Sequence, residues 1–175
     1  MLGHSHVIIG AAAGVLTARI LHADDLAGAL VAGVAALVPD VDTPESTLGR
    51  WLPRWWHALT PGHRGPTHSL LFCAALGALA YEVQALVIGR PPASWLLTAA
   101  VVVGALSHLA ADAVTDHGVP LLWPLWRGHL GLPWPLAFRT GSWREHLTTT
   151  AVVAGTLDWA YGLHRVVAPL LAGHR

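Results

Sequence analysis

Residues 95–114, WLLTAAVVVGALSHLAADAV, decide how this chain folds. The run is apolar and long enough to cross a bilayer, which takes ~20 such residues as a helix. Near its end it carries His108 and Asp112. A spacing of four places both side chains on one helical face, where both can reach one ion. A carboxylate inside an apolar helix costs at least ~2.5 kcal/mol on insertion scales, so it marks function by default. The plainer alternative is that Asp112 only neutralises His108 or an arginine.

The rest of the chain has the same character. Of its 175 residues 54% are apolar and 11% charged, against roughly 25% charged in soluble domains. Lipid-facing helices need that mixture, because hydrocarbon does not solvate charge. The formal net charge is zero, so no basic field argues for a nucleic-acid partner. The single Cys73 rules out an intramolecular disulfide framework and reads as a small packing residue. The length suits one domain over residues 1–175. The opening MLGHSHVIIG has neither the basic start nor the cleavage site of a secretory signal, so it is expected to be retained.

Four further apolar stretches complete the pattern. Val7 to Leu21 and Leu26 to Val38 are short, Ser69 to Ile88 is long enough to cross, and Leu147 to Leu171 is weakened by Asp158, His164 and Arg165. Small residues recur in GAAAG, GALVAG and AALGALA, at spacings that let helices approach closely. Two polar connections, 40–67 and 115–146, are rich in Pro, Gly and Trp, which break helices and suit the water–lipid interface. The expected fold is an all-α integral membrane bundle of four to five helices, with two polar interfacial connections.

If each stretch crosses once, the N-terminus and both connections share one face. His6 opens the first helix there, Asp40 and Asp42 close the second, His63 and His68 open the third, and His108 and Asp112 end the fourth. In VPDVDTPES, two carboxylates two apart can bracket a divalent ion beyond the Pro39 helix stop, although an Asp-rich turn has the same composition. In GHRGPTHS, Gly65 and Pro66 impose a turn, Thr67 or Ser69 can cap the next helix, and Arg64 offers a fixed charge to a phosphate or carboxylate. His117 follows the fourth helix in a Gly-Pro turn, while Glu145 and His146 either cap the last helix or complete the site. Six arginines lie on this face and up to four near the other, which favours a cytoplasmic site.

Taken in order, LVPDVDTPESTLGR, GHRGPTHSLL, LSHLAADAVTDHGVPLLWP and GSWREHL resemble the YdjM-type family of membrane-bound metal-dependent hydrolases, regulated by the SOS repressor LexA in some bacteria. The resemblance covers most of the chain. It implicates His6, Asp40, Asp42, His63, Arg64, His68, His108 and Asp112, with Glu145 at its margin, and does not extend to His117. A more distant likeness is to zinc-dependent phospholipase C and related single-strand nucleases, whose clustered site contains a His-x-x-x-Asp pair like His108 and Asp112.

The expected function is hydrolysis of a phosphoester in a lipid or lipid-linked substrate, in a bacterial or archaeal cytoplasmic membrane. One to three divalent ions would serve it. Zinc is preferred for a ligand set of imidazole and carboxylate without thiolate, with manganese open. Asp40 or Asp42 would accept a proton from the attacking water, and Arg64 would hold the substrate anion. The alternative is a metal-binding transporter or sensor without hydrolysis. A transporter, however, needs polar positions through to the far side, and here only Glu82 and Gln84 lie away from the motif face.

Overall fold

The computed structural model describes residues 1–60, 64–89 and 95–163. Its α-helices are α1 (Gly3–Ile20), α2 (Asp25–Ala35), α3 (Arg54–Leu59), α4 (Leu70–Ile88), α5 (Leu96–Ala113) and α6 (Trp143–Tyr161). No strand forms among the described residues. Isolated bridges between Thr115 and Phe138 and between Val119 and Leu130 fold the second connection back on itself.

Local chemistry sets the helix ends. Asp24 starts α2 by accepting the Ala27 amide at 2.7 Å, as its place before the apolar run suggests. Ser69 does the same for α4, accepting from Phe72 at 3.2 Å. Thr67 is not a cap. It lies in a 3-10 turn, Pro66–His68, and its hydroxyl points elsewhere. The first helix begins at Gly3, four residues before the apolar run, so His4, Ser5 and His6 are helical. The short α3 lies inside the first connection, where the sequence suggests only interfacial tryptophans.

Helices α4 and α5 are long and apolar enough to cross a membrane, with mean hydropathies of 1.9 and 1.7. Large apolar side chains such as Leu71, Leu79 and Leu86 stand exposed along α4, the surface expected of a helix solvated by lipid. The other described helices do not meet that test. Gln84, buried in α4, accepts from the Thr98 amide and hydroxyl at 3.1 Å each and ties α4 to α5. That interhelical contact is the role its mid-helix position suggests.

Helix α1 packs on α2, α5 and α6, and α5 also packs on α2 and α4. Small residues make the approach possible. A methyl group on Gly14 would collide with the Gly28 carbonyl across the α1–α2 crossing, and one on Gly104 would strike the Ala32 carbonyl across α2–α5. Small residues at both crossings bring the backbones into direct contact, the kind of packing that GAAAG and GALVAG suggest. It carries the start of α1, the end of α2, the start of α4, the end of α5 and the start of α6 to one end of the bundle.

Candidate metal centre

At that end, His6, His68, His108 and Asp112 are buried and turn toward one another, with Asp40 at the edge. Their donor atoms form two overlapping sets that share His108: His6, His108 and Asp112, and Asp40, His68 and His108. Within each set all donor atoms lie within 4.8 Å of one another, a separation that one ion can bridge.

His6 Nε2 is 3.3 Å from Asp112 Oδ1. His68 Nε2 and His108 Nε2 lie 3.4 and 3.5 Å from Asp40 Oδ1, and 3.8 and 3.9 Å from Asp112 Oδ2. The His6 and His108 rings stack with centroids 3.7 Å apart, and His68 meets His108 edge-on.

The outward-facing atoms decide what these rings present to the centre. His108 Nδ1 lies 2.7 Å from the Ala36 carbonyl. A carbonyl only accepts, so this nitrogen carries the proton and Nε2 keeps its lone pair toward the cluster. His68 Nδ1 faces Asp42 Oδ2 at 3.4 Å and the Thr67 hydroxyl at 3.1 Å. Thr67 in turn donates to Asp42 Oδ2 at 2.8 Å. An imidazole oriented from behind by a carboxylate or carbonyl is the arrangement metal-binding histidines use. Two bare Nε2 atoms, of His68 and His108, are left 3.2 Å apart.

Electrostatics points the same way. Burial works against a charged Asp40, but the His68 ring and the neighbouring imidazoles outweigh it and hold the carboxyl below its usual range. Burial also works against a charged His68, and Asp40 and Asp42 outweigh it, raising the imidazole above its ordinary value. Positive charge is therefore favoured where these donors converge. A divalent cation would meet that demand in place of a proton. Buried atoms without a hydrogen bond, Asp40 Oδ1 and both nitrogens of His6, fit the same occupant.

Arg64 is buried and adopts a left-handed backbone, φ 63°, uncommon for a residue with a side chain. Its Nε lies 2.8 Å from Asp112 Oδ2, and Nη1 donates to Thr115 Oγ1 and the Gly118 carbonyl at 3.0 Å each. The guanidinium therefore grips Asp112 and the chain leaving α5. The Met1 amino group meets the other oxygen of Asp112.

Glu145 is fully buried beside the donors but outside both sets. It accepts from the Leu2 and Gly141 amides at 2.7 Å each. Burial opposes its charge, and Ser5 with these amides outweighs that and holds its carboxyl below the usual range. It thus clamps the start of α1, which carries His6. Asp42 stands behind His68. His117 and His146 are exposed and are not drawn into the cluster; His146 stacks on exposed His4 instead, with centroids 6.2 Å apart. His63 lies outside the described residues.

Sequence reasoning missed three contributors. The Ala36 carbonyl and Thr115 leave no trace in a pattern. Thr67 was legible as a candidate helix cap, not as the donor that holds Asp42. His57, unremarkable by spacing, reaches the Asp42 and Gly49 carbonyls at 3.2 Å each and braces the first connection.

Comparison with known proteins adds the lineage. The family model "YdjM inner membrane protein" matches residues 1–174. Inner membrane protein YdjM of Escherichia coli (strain K12) is 43% identical over 105 residues, covering 55% of this chain and 50% of that protein. The match to its Shigella flexneri counterpart has the same extent. The chain therefore spans about half the length of these two relatives. The uncharacterized protein YvsG of Bacillus subtilis (strain 168) is 30% identical over 165 residues, 93% of this chain and 96% of that protein. No solved structure matches the chain. A match that runs almost end to end, with two helices able to span a bilayer, makes this chain a membrane protein belonging to the YdjM inner membrane protein family.

Proposed function

We propose that the chain is a membrane-bound metal-dependent hydrolase that cleaves a phosphoester in a lipid or lipid-linked substrate. One observation carries the reading: imidazoles from α1, α5 and the turn before α4 converge with Asp40 and Asp112, and backing groups aim two of them inward. His6, His68, His108, Asp40 and Asp112 would hold one or two divalent ions. Zinc suits imidazole and carboxylate donors without thiolate, and manganese is the second choice. When bound, the metal supplies Lewis-acid polarisation of a phosphoryl group and makes water a better nucleophile at neutral pH.

The residues divide the remaining work. Asp40 is the most exposed of the donor residues, its side chain 15% exposed, and stands where substrate and water would enter. Its carboxylate is held ionised and so is able to take a proton. Asp42 and Thr67 orient His68. Arg64 orients Asp112 and keeps a fixed positive charge beside the site, favourable to an anionic phosphoester. Phosphoester chemistry, rather than another hydrolysis, suits the fixed cation of Arg64 held beside the His108–Asp112 pair.

The test is metal analysis of purified protein, followed by chelation, reloading with zinc or manganese, and a panel of lipid phosphoesters. Turnover that disappears with chelation and returns with metal is the expected result. Bound metal with no turnover on any phosphoester would favour a metal-binding transporter or sensor.

A further inference from the structure

Beyond the metal centre, a cavity of about 450 Å³ opens between the second connection and the start of α6. Arg139, Arg144 and Ser142 line it together with Trp134 and Phe138, and Asp116 is the one carboxylate among the described lining residues. Arg144 is fixed by the Pro135, Ala137 and Leu136 carbonyls at 3.0 to 3.2 Å, which hold its charge in place without cancelling it. Arg139 is exposed, and among the described residues its guanidinium has no ion-pair partner. Ser142 occupies the N-cap of the 19-residue α6, yet makes no capping bond; its hydroxyl is buried without a hydrogen bond. A helix start, two arginines and an orphaned hydroxyl are what an anion requires.

The cavity does not end there. A second one, about 390 Å³, shares Leu132, Phe138 and Arg144 with it and continues along Leu136, Trp143 and Leu147. A chamber that carries charged groups among apolar walls, beside a more apolar one, fits an amphiphile better than a free anion. Its inner wall leads toward the metal centre. Phe138 packs against Met1 and Ala111, the residue before Asp112.

We propose that residues 132–147 form a binding site for an anionic phospholipid, with its phosphate held by Arg139 and the start of α6 and its acyl chain lying toward Leu147. Two arginines against one carboxylate select net negative charge, so a zwitterionic headgroup is disfavoured. The site goes beyond the hydrolase reading, and its occupancy does not depend on turnover. If both hold, it names anionic phospholipid as the substrate class presented to the donors.

The experiment uses the full chain in detergent after chelation, so that no hydrolysis intervenes. Native mass spectrometry follows binding of short-chain phosphatidylglycerol, short-chain phosphatidylcholine and inorganic phosphate. Arg139→Gln should weaken phosphatidylglycerol by about tenfold, the usual loss for a hydrogen bond to a charged group. Leu147→Asn should weaken phosphatidylglycerol and leave phosphate unchanged. Both variants should keep the parent's metal content on reloading, which checks folding. Phosphatidylglycerol binding unaltered by Arg139→Gln overturns the proposal. So does phosphatidylcholine or free phosphate binding as tightly as phosphatidylglycerol. Charge-selective binding by a chain that hydrolyses nothing when reloaded with metal would uphold the lipid site and remove the hydrolase reading.

Discussion

Arg64 and Asp112 meet at one end of the bundle with side chains 6% and 1% exposed, whereas Arg19 and Asp25 meet at the other with 40% and 25% exposed. The chemical pair is the same, and both are within 2.8 Å. At the exposed end water and salt screen the interaction, and such pairs contribute little. Tyr161 joins them, donating to Asp25 at 3.0 Å beneath the Arg19 guanidinium. At the buried end no water compensates, so each charge must find a partner inside the protein. Asp112 accordingly faces Arg64, the Met1 amino group and the His6, His68 and His108 rings together. One end is a fastening; the other concentrates charge in a way that a stable fold alone does not require.

The largest effect should come from breaking the buried end at its centre. Asp112→Asn keeps the size of the side chain and removes its charge, leaving Arg64 buried without its carboxylate. Metal affinity should fall by more than ~100-fold, beyond the 10–100-fold range of outer-shell substitutions. Hydrolysis should fall with it. Membrane yield should survive, because a neutral amide is easier to insert than a carboxylate. Equilibrium metal titration of both proteins, with yield measured in parallel, checks this. Full occupancy in the variant would leave Asp112 as a partner of Arg64 only.

Asp42→Asn sharpens the comparison one step outward. Asp42 backs His68 rather than joining either donor set, so the variant should still fill with metal, at an affinity ~10–100-fold lower. Thr67→Val should act in the same direction, since Thr67 holds Asp42 in place. A loss of stoichiometry in Asp42→Asn, instead of affinity, would make Asp42 a direct ligand.

Gly104→Val tests whether the packing that builds the buried end can be separated from its chemistry. The added side chain strikes the Ala32 carbonyl and pushes α5 away from α2. His108 Nδ1 would then lose the Ala36 carbonyl that fixes its tautomer. Overpacking of this kind costs about 1–3 kcal/mol, readable as a lower thermal midpoint in detergent. Weakened metal binding should accompany it although no donor has changed.

The parts of the buried end that the sequence reveals are the local ones. His108 and Asp112 share a face because the helical repeat is fixed by geometry, and no neighbour need be known. Ser69 was legible, with Thr67, as a candidate cap for a similarly local reason. The start of α1 was legible in the same way: His6 was expected to open the first helix, and the helix does begin ahead of the apolar run, at Gly3. Contacts that depend on helix crossings were invisible, among them His6 with Asp112, Ala36 with His108 and Glu145 with Leu2. Gly14, Gly28 and Gly104 let the backbones of α1, α2 and α5 approach, and such crossings set which side chains meet. The sequence marks these glycines as small residues without saying which pairs meet. Conversely, His117 and His146 carry the right chemistry in the right connection and are exposed, outside both donor sets.

The smallest effect belongs to the exposed end. Arg19→Gln removes both contacts to Asp25, by Nε at 2.8 Å and Nη2 at 2.6 Å, and takes the cation from the face of Tyr161. Asp25 remains in the first turn of α2, where its charge still favours the helix start. It also keeps the Tyr161 hydroxyl. Water replaces the guanidinium, so the thermal midpoint should shift little, and less in high salt than in low salt. Metal affinity and turnover should match the parent, because the bundle end that holds the donors is untouched. The decisive measurement is metal titration of Arg19→Gln beside Asp112→Asn in the same detergent. A loss in Arg19→Gln comparable with that in Asp112→Asn would mean the two ends are coupled through α1, and their separation into fastening and centre would fail.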